Sequence, residues 1–121
     1  MTKRIETINN IPIAILQSDA PIITDAQSAL DLLATLDYED GCDHIALHKS
    51  AIAEDFFILS TGLAGEILQK VINYRKKLAV IGDFSVYTSK PLQDFIRECN
   101  SGRDIFFVAD EQTATEKLAA L

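Results

Sequence analysis

The stretch "ILSTGLAGEILQKVINYRKKLAVIGDF", residues 58–84, places two regular patterns side by side and decides the fold class. After the Ser-Thr-Gly joint at 60–62, apolar residues recur at helical spacing, and charged and amide side chains occupy the opposite face. This pattern predicts a helix over about 62–76. The apolar run at 78–81 lacks polar alternation, which is typical of a strand buried on both faces of a parallel sheet. A helix followed by such a strand favours an α/β fold.

The rest of the chain continues this alternation of strands and helices. Strands are predicted at about 4–9 and 11–16, joined by a tight hairpin, because asparagines such as Asn9 and Asn10 tolerate positive φ. Pro12 indicates an edge position or an irregular start for the second strand. Cap and periodicity signals predict three more helices: from Asp25 or Thr24 to about Leu36, from Ser89 to the Asn-Ser-Gly at 100–102, and from Asp110 to about Ala120. Two more strands are predicted at about 44–48 and 104–109.

The predicted order is therefore β-β-α-β-α-β-α-β-α, an α/β mixed sheet with helices, in one domain covering residues 1–121. One segment, "AIAEDFFILS" at 51–60, has no clear period and is expected to be a turn followed by an irregular apolar stretch. On the third helix, Phe95, Ile96 and Cys99 share the apolar face, so all three are expected in the core. Cys42 follows a glycine in a loop and is expected to be partly exposed.

Composition and charge exclude several classes of partner. Apolar residues make up 48% of the chain, charged residues 24%, and the formal net charge is −7. Such a surface repels phosphate backbones and anionic lipid, so nucleic acid and membranes are not expected partners. The basic cluster Arg75-Lys76-Lys77 is interpreted as a favourable interaction with a helix dipole. No signal peptide and no apolar run of roughly 18 residues is visible, which predicts a cytoplasmic protein.

The joint Ser60-Thr61-Gly62 is the first candidate site. Free N–H groups at a helix start attract anions, and a glycine lets a ligand approach the backbone closely. Serine and threonine are also common helix caps, so Ser60 or Thr61 could serve only as the N-cap of the helix that follows. A third reading is phosphorylation of one of the two hydroxyls. The sequence leaves all three readings open.

The loop that follows the buried strand is the second candidate site. It carries Asp83, Ser85 and Tyr87 at the carboxyl end of a strand, where α/β sheets usually bind ligands. Asp83 is expected to lie near Ser60 and Thr61, because both follow successive parallel elements. The alternative is a polar loop that ends in a helix cap at Ser89.

No metal, cofactor or catalytic set is expected. His44 and His48 are four residues apart on a predicted strand, which separates them by roughly 13 Å, too far for one zinc ion. The acid pairs at 39–40 and 54–55 are interpreted as solvated loops rather than a catalytic dyad. No nucleophile elbow is present.

The joint and the elements around it resemble the STAS domain, named for sulfate transporters and anti-sigma-factor antagonists. That family carries Asp-Ser-Ser/Ala-Gly-Leu where this chain has Leu59-Ser60-Thr61-Gly62-Leu63, so Leu59 replaces the aspartate. In the antagonist branch the first serine is phosphorylated, and the resemblance places that role on Ser60. The segments "LSTGLAGEILQK", "LAVIGDFS" and "LQDFIRECNSGRDIFFV" more closely resemble a bacterial family, domain of unknown function 4180, which implies no activity.

Two functional hypotheses follow from these observations. The first is a STAS-like regulatory module that binds a protein partner and is not expected to be an enzyme; its surface would comprise the Ser60 joint, the helix 62–76 and the loop 83–89. The second is a small-molecule binder or weak enzyme that uses the same cleft, with Asp83 as acid or base and Tyr87 and Arg103 as polar contacts.

Overall fold

A computed structural model describes all 121 residues and confirms a mixed α/β fold with a five-stranded mixed sheet and four helices. The elements occur in the predicted order. The strands are β1 (Thr2–Ile8), β2 (Ile11–Gln17), β3 (His44–His48), β4 (Lys77–Ile81) and β5 (Ile105–Val108). The helices are α1 (Ala26–Asp40), α2 (Leu63–Asn73), α3 (Lys90–Ser101) and α4 (Glu111–Ala119).

The strands lie in the sheet in the order in which they occur along the chain. β1 pairs antiparallel with β2, and β2, β3, β4 and β5 pair parallel to one another. A helix connects each parallel strand to the next, as a parallel crossover requires. The carboxyl ends of β2, β3, β4 and β5 therefore lie at the same end of the sheet.

The β1–β2 hairpin turns through Asn9 and Asn10, whose φ angles are 53° and 65°. Two consecutive positive φ values are the geometry of the turn that suits a two-residue hairpin. β2 is not an edge strand, because β3 lies on its other side. The pairing with β3 begins only at Ile13, so Pro12 lies just before the first position at which a second neighbour is present.

The sheet separates two hydrophobic cores of unequal size. A cluster of 22 buried residues fills the face that carries α1, α2 and α3, and its largest fully buried side chain is Phe56. A second cluster of ten lies under α4, which contributes Ala114, Leu118 and Ala119. The four parallel strands, β2 to β5, are buried on both faces because both are covered by helices, which explains their continuous apolar runs.

Asp25 is the N-cap of α1 and forms a reciprocal capping box with Ser28. The helix continues to Asp40, one turn beyond the predicted end at Leu36, and it ends at Gly41, whose φ is 61°. The apolar stripe stops at Leu36 because the last turn lies beyond the core. The loss of periodicity therefore marked the end of the buried face, not the end of the helix.

The predicted burial of several residues was wrong. Phe95, Ile96 and Cys99 are only half-buried at the margin of the larger core, because α3 lies towards the end of the sheet where β5 is the last strand. Cys42, expected to be partly exposed, is fully buried. The turn at Gly41 directs Cys42 inward, where its backbone N–H donates to the Leu36 carbonyl.

In the basic cluster at 75–77, the side-chain charges of two residues pair with carboxylates of neighbouring segments. α2 ends at Asn73, before the cluster begins. Lys76 is buried, and its ammonium group lies 2.7 Å from a carboxylate oxygen of Asp43 and 3.3 Å from one of Asp37. The Lys77 ammonium group lies 2.9 Å from Asp104. Two of the three positive charges are therefore neutralised by ion pairs with neighbouring segments.

The segment without a clear period forms three short 3₁₀ helices: Lys49–Ala51, Glu54–Phe57 and Leu59–Thr61. We call residues 49–61 the 3₁₀ segment. Two of its side chains, Phe56 and Phe57, are buried in the core. An isolated parallel bridge joins Ile52 of this segment to Ile23. A chain anchored by alternating short turns buries side chains at irregular intervals, which explains why no single period was visible. None of the helices combines the length and apolarity needed to cross a membrane.

Candidate functional site

Two connections meet where the parallel strands end. β3 continues into the 3₁₀ segment, and β4 continues into the loop 82–89, which leads to α3. A groove of about 500 Å³ separates the end of the 3₁₀ segment from the start of α3. Its lining residues are Phe57, Ile58, Leu59, Ser60, Ser89 and Pro91. The groove brings the Ser60 joint next to the first turn of α3.

Ser60 and Thr61 are neighbours in the chain but have different surroundings. The Thr61 hydroxyl donates towards the backbone carbonyls of Asp55 and Ile58, each 2.8 Å away, and it accepts a hydrogen bond from the Leu63 N–H at 3.3 Å. Ser60 is exposed, and its hydroxyl makes no hydrogen bond within the chain. Thr61 therefore stabilises the turn, whereas the hydroxyl of Ser60 is available to another molecule.

The N-cap of α2 is Gly62, so of the three readings of the joint, the one that makes Ser60 or Thr61 the N-cap was wrong. Gly62 has a φ of 80°, in the left-handed region that side chains rarely adopt. No side chain forms a conventional cap at this helix start. The Thr61 hydroxyl compensates in part by accepting from the first N–H of the helix. A Cβ at this position would meet no neighbouring atom, so lack of space does not explain the glycine. The glycine is required by the backbone conformation alone.

Asp83 is occupied by its own loop and does not line the groove. One carboxylate oxygen accepts hydrogen bonds from the Ser85 hydroxyl at 2.6 Å and from the Ser85 backbone N–H at 3.0 Å. These two bonds, with a smaller contribution from the positive charge of Lys49, lower the pKa of Asp83 below its ordinary value. Asp83 is not among the residues that line the groove beside Ser60, and it closes a turn with Ser85.

Tyr87 belongs to a cluster with Lys49 and with Glu54, which was expected to lie in a solvated acidic loop. Its hydroxyl lies 3.0 Å and 3.1 Å from the two carboxylate oxygens of Glu54, and the Lys49 ammonium group lies 3.2 Å from Glu54. The same ammonium group lies 4.9 Å from the centre of the Tyr87 ring. Burial raises the pKa of Tyr87, and the proximity of Tyr87 and then of the Glu54 carboxylate raises the pKa of Lys49. The hydroxyl is therefore protonated at neutral pH and Lys49 is charged.

This Lys49–Glu54–Tyr87 cluster fastens the loop 82–89 to the 3₁₀ segment. The Tyr87 ring stacks on Phe57, with centroids 4.9 Å apart and planes 14° from parallel. A Cβ on Gly82 would lie 2.9 Å from the Cβ of Lys49, so the close approach of the two chain segments requires a glycine there. Because these polar groups bind one another, the cluster has a structural role. Lys49 and Glu54 both lie in the 3₁₀ segment, and no sequence signal connected them to Tyr87.

Arg103 lies at the opposite end of the sheet from the other candidate residues. It follows α3 and precedes β5, so it belongs to the amino end of a parallel strand. There it lines a smaller depression of about 190 Å³ together with Leu68, Phe95 and Cys99. The interpretation of Arg103 as a polar contact in the Asp83 cleft was therefore wrong. The sequence order already contained this information, since a residue before a strand cannot lie at its carboxyl end.

His44 and His48 both lie on β3, as predicted. The His48 imidazole lies 2.6 Å from a carboxylate oxygen of Glu111, whose other oxygen lies 2.5 Å from the Arg4 guanidinium. These contacts with His48 and then Arg4 lower the pKa of Glu111. No group of three or more histidine, cysteine or carboxylate side chains is close enough to hold a metal ion.

The comparison with protein families gives one result. The family model described as Domain of unknown function (DUF4180) matches residues 8–118, so the chain belongs to that family. No curated protein and no solved structure matches the chain. The family match spans β2 to α4 and includes the Ser60 joint, the 3₁₀ segment and the loop 82–89.

Proposed function

Starting from membership in this family, we propose that the protein is a non-enzymatic, STAS-like interaction module that binds another protein through the groove beside Ser60. We call the residues on its two sides, Ile58, Leu59 and Ser60 on one and Ser89 and Pro91 on the other, the Ser60 surface. The observation that carries the proposal is the free hydroxyl of Ser60 at the rim of an apolar groove.

The composition of the Ser60 surface fits a protein partner. The Ile58 side chain is 52% exposed, although the residues before it, Phe56 and Phe57, are buried. Leu59 and Pro91 add apolar area on the two sides of the groove. Exposed apolar groups rimmed by polar ones are typical of interaction sites. A hydroxyl at such a rim can exchange its hydrogen bond with water for one with the partner.

The STAS-like arrangement is supported by the order of elements and by the position of the joint. The chain has β-β-α-β-α-β-α-β-α, and Ser60-Thr61-Gly62-Leu63 leads directly into α2. The resemblance places the phosphorylated serine of the antagonist branch at Ser60. In this structure Ser60 is also the hydroxyl that is exposed and unengaged, whereas Thr61 is held by backbone groups.

Phosphorylation of Ser60 would then act as a switch. A phosphate adds about −1.5 to −2 charges at neutral pH. On the Ser60 surface this charge would have to be buried against apolar groups when the partner binds, and burying an unpaired charge is costly. Docking would be weakened while the fold remained intact, because the serine is on the surface.

An enzyme that uses Asp83 finds less support. A general base works best when its pKa is near the operating pH, and the hydrogen bonds from Ser85 shift the pKa of Asp83 in the opposite direction. The Tyr87 hydroxyl is committed to Glu54. The polar groups of the second hypothesis therefore do not converge on a common space where a substrate could react.

The test is to capture partners from an extract of the source cells with three forms of the protein: wild type, Ser60→Ala and Ser60→Asp. We expect Ser60→Ala to retain the partner, because the methyl group that replaces the hydroxyl fits an apolar rim. Ser60→Asp is expected to lose it. Each form must first show a cooperative thermal transition, which checks that the fold is unchanged.

Ser101→Asp provides a control for charge alone, since it places the same charge on an exposed serine at the far end of α3, where the hydroxyl donates only to the Glu98 carbonyl of its own helix. This control is expected to retain every partner that the wild type binds. If Ser60→Asp also retains them all, the Ser60 surface is not where the partner binds.

A further inference from the structure

The two edge strands of the sheet differ in whether their outward backbone groups have hydrogen-bond partners. β5 is the edge strand on one side, and the outward backbone groups of Phe107 are not free. The Asn100 side chain on α3 accepts from the Phe107 N–H at 2.7 Å and donates to the Phe107 carbonyl at 3.2 Å. Asn100 thus occupies the place of a sixth strand. Blocking an edge in this way prevents another chain from pairing with it.

The opposite edge strand, β1, has no such cover. It packs on β2, and four of its seven residues, Thr2, Lys3, Arg4 and Ile5, form an unbroken exposed run. Ile5, the only apolar residue in the middle of that strand, is 39% exposed. A seven-residue edge with unpaired backbone groups is a template for a further strand.

The hairpin determines which groups of β1 point outward. A two-residue turn places a hydrogen bond between Ile8 and Ile11, and hydrogen-bonded pairs then alternate along the antiparallel ladder. Residues 2, 4, 6 and 8 therefore bond to β2. The backbone N–H and carbonyl groups of Lys3, Ile5 and Thr7 point away from the sheet.

We infer that β1 pairs antiparallel with β1 of a second copy, with Ile5 opposite Ile5, to form a two-fold symmetric dimer with a continuous ten-stranded sheet. In this register the outward groups of Lys3 meet those of Thr7, and those of Ile5 meet their own counterparts. Every outward-facing residue of the strand then has a partner. The pairing places the exposed Ile5 side chains against each other on one face.

Charge selects a second copy over an unrelated strand. On the other face the same register places Arg4 of each copy directly opposite Glu6 of the other. Oppositely charged residues in directly opposed positions stabilise a strand pair, and like charges destabilise it. Within one chain the Arg4 guanidinium already lies 3.4 Å from Glu6 and 2.5 Å from Glu111. The sequence Arg-Ile-Glu is thus self-complementary about Ile5.

The first test measures molar mass by sedimentation over a range of protein concentrations. Wild type is expected to approach twice the mass of one chain as concentration rises. Ile5→Pro removes an outward N–H and leaves the hydrogen bonds to β2 intact, so this variant is expected to stay monomeric. It is expected to fold, because proline is tolerated on an edge strand. Ile5→Val keeps the N–H and is expected to dimerise as the wild type does.

The second test uses charge and does not depend on how well proline is tolerated. Arg4→Glu alone sets carboxylates against each other at both charged positions of the pair, and Glu6→Arg alone sets guanidinium groups against each other. Each variant is therefore expected to be monomeric. A mixture of the two variants restores opposite charges at both positions and is expected to form a heterodimer.

Two results would overturn the inference. One is a wild type that stays monomeric at all concentrations. The other is a pair of charge variants that each dimerise alone as strongly as the wild type, because the proposed register could not then be the one that forms.

Discussion

Arg75 has a φ of 57°, the left-handed conformation, immediately after the end of α2. Its N–H donates to the Ile72 carbonyl and the N–H of Lys76 donates to the Val71 carbonyl, which together form a Schellman motif. Glycine is the usual residue at this position, because a Cβ raises the energy of the left-handed conformation. α1 ends in the usual way, with Gly41 at a φ of 61°.

Replacing Arg75 with glycine is therefore expected to stabilise the protein by about 0.5–1 kcal/mol, since glycine removes the strain but adds freedom to the unfolded chain. Arg75 makes no ion pair that the change would remove. The measurement is the free energy of unfolding in urea. Gly41→Ala is the reciprocal control and is expected to cost about 1 kcal/mol, because a Cβ there meets no neighbouring atom and only the backbone is strained. A destabilised Arg75→Gly would show that the arginine side chain contributes an unrecognised contact.

At the residue scale the sequence alone was a partial guide. It identified Ser89 and Asp110 as helix caps, and it narrowed the first cap to Asp25 or Thr24, because a cap depends on neighbours within a few positions. It did not separate Ser60 from Thr61, since the groups that bind the Thr61 hydroxyl are carbonyls exposed by the irregular 3₁₀ segment. The burial of Cys42 likewise depends on the direction of the chain after Gly41.

At the scale of elements, the start of α3 was predicted correctly, but the burial of its apolar face was overestimated. Ser89 caps the helix and Pro91 lies in its first turn, as the sequence predicted. Leu92 is fully buried, but Phe95 is only half-buried, although its ring packs in a T-shaped arrangement with that of Phe107. Helical periodicity reports which face turns inward. It does not report how far the sheet extends beneath that face.

This difference predicts unequal effects of two phenylalanine truncations. Phe56→Ala is expected to cost about 3–5 kcal/mol, the usual range for a fully buried ring. Phe95→Ala is expected to cost less than about 3 kcal/mol, because part of its surface is already in water. Chemical denaturation of both variants checks the prediction. Equal losses would mean that α3 packs more deeply than the structure shows.

The pairing of Asn100 with β5 makes a second prediction at this scale. Asn100→Ala leaves the N–H and carbonyl of the buried Phe107 without partners, which is expected to cost about 1–3 kcal/mol and to promote association through the opened edge. Thermal melting and light scattering measure the two effects. Gln93→Ala removes another side-chain amide from the same helix, one that donates to an exposed carbonyl of Tyr87. Water can replace that bond, so the control is expected to lose less than about 1 kcal/mol.

The order of the elements was predictable because strands and helices alternate with distinct periods and the turns carry glycine or asparagine. The strand 78–81 is an example, since its unbroken apolar run reflects cover on both faces. The 3₁₀ segment was not predictable, because three short turns follow no common period. That segment contributes most of the Ser60 surface, so the sequence located the candidate site without giving its shape.

At the scale of the whole molecule, parallel pairing of four strands separates two ends with different character. Ser60, Asp83 and Tyr87 follow strands and lie at the carboxyl end, where the 3₁₀ segment and the loop 82–89 are fastened together. Arg103 precedes β5 and lies at the other end. Partner binding is proposed for the groove at the carboxyl end, and self-association for the open β1 edge. The two functions would therefore use separate surfaces.

The central claim is that a protein partner docks on the Ser60 surface, and the most direct measurement is its dissociation constant, by titration calorimetry, for wild type, Ser60→Ala and Ser60→Asp. We predict that Ser60→Ala binds within about twofold of wild type, whereas Ser60→Asp weakens binding at least about tenfold, or about 1.4 kcal/mol. Both variants are expected to unfold at temperatures close to wild type, because the Ser60 side chain makes no bond within the chain. Equal dissociation constants for all three proteins would contradict the claim.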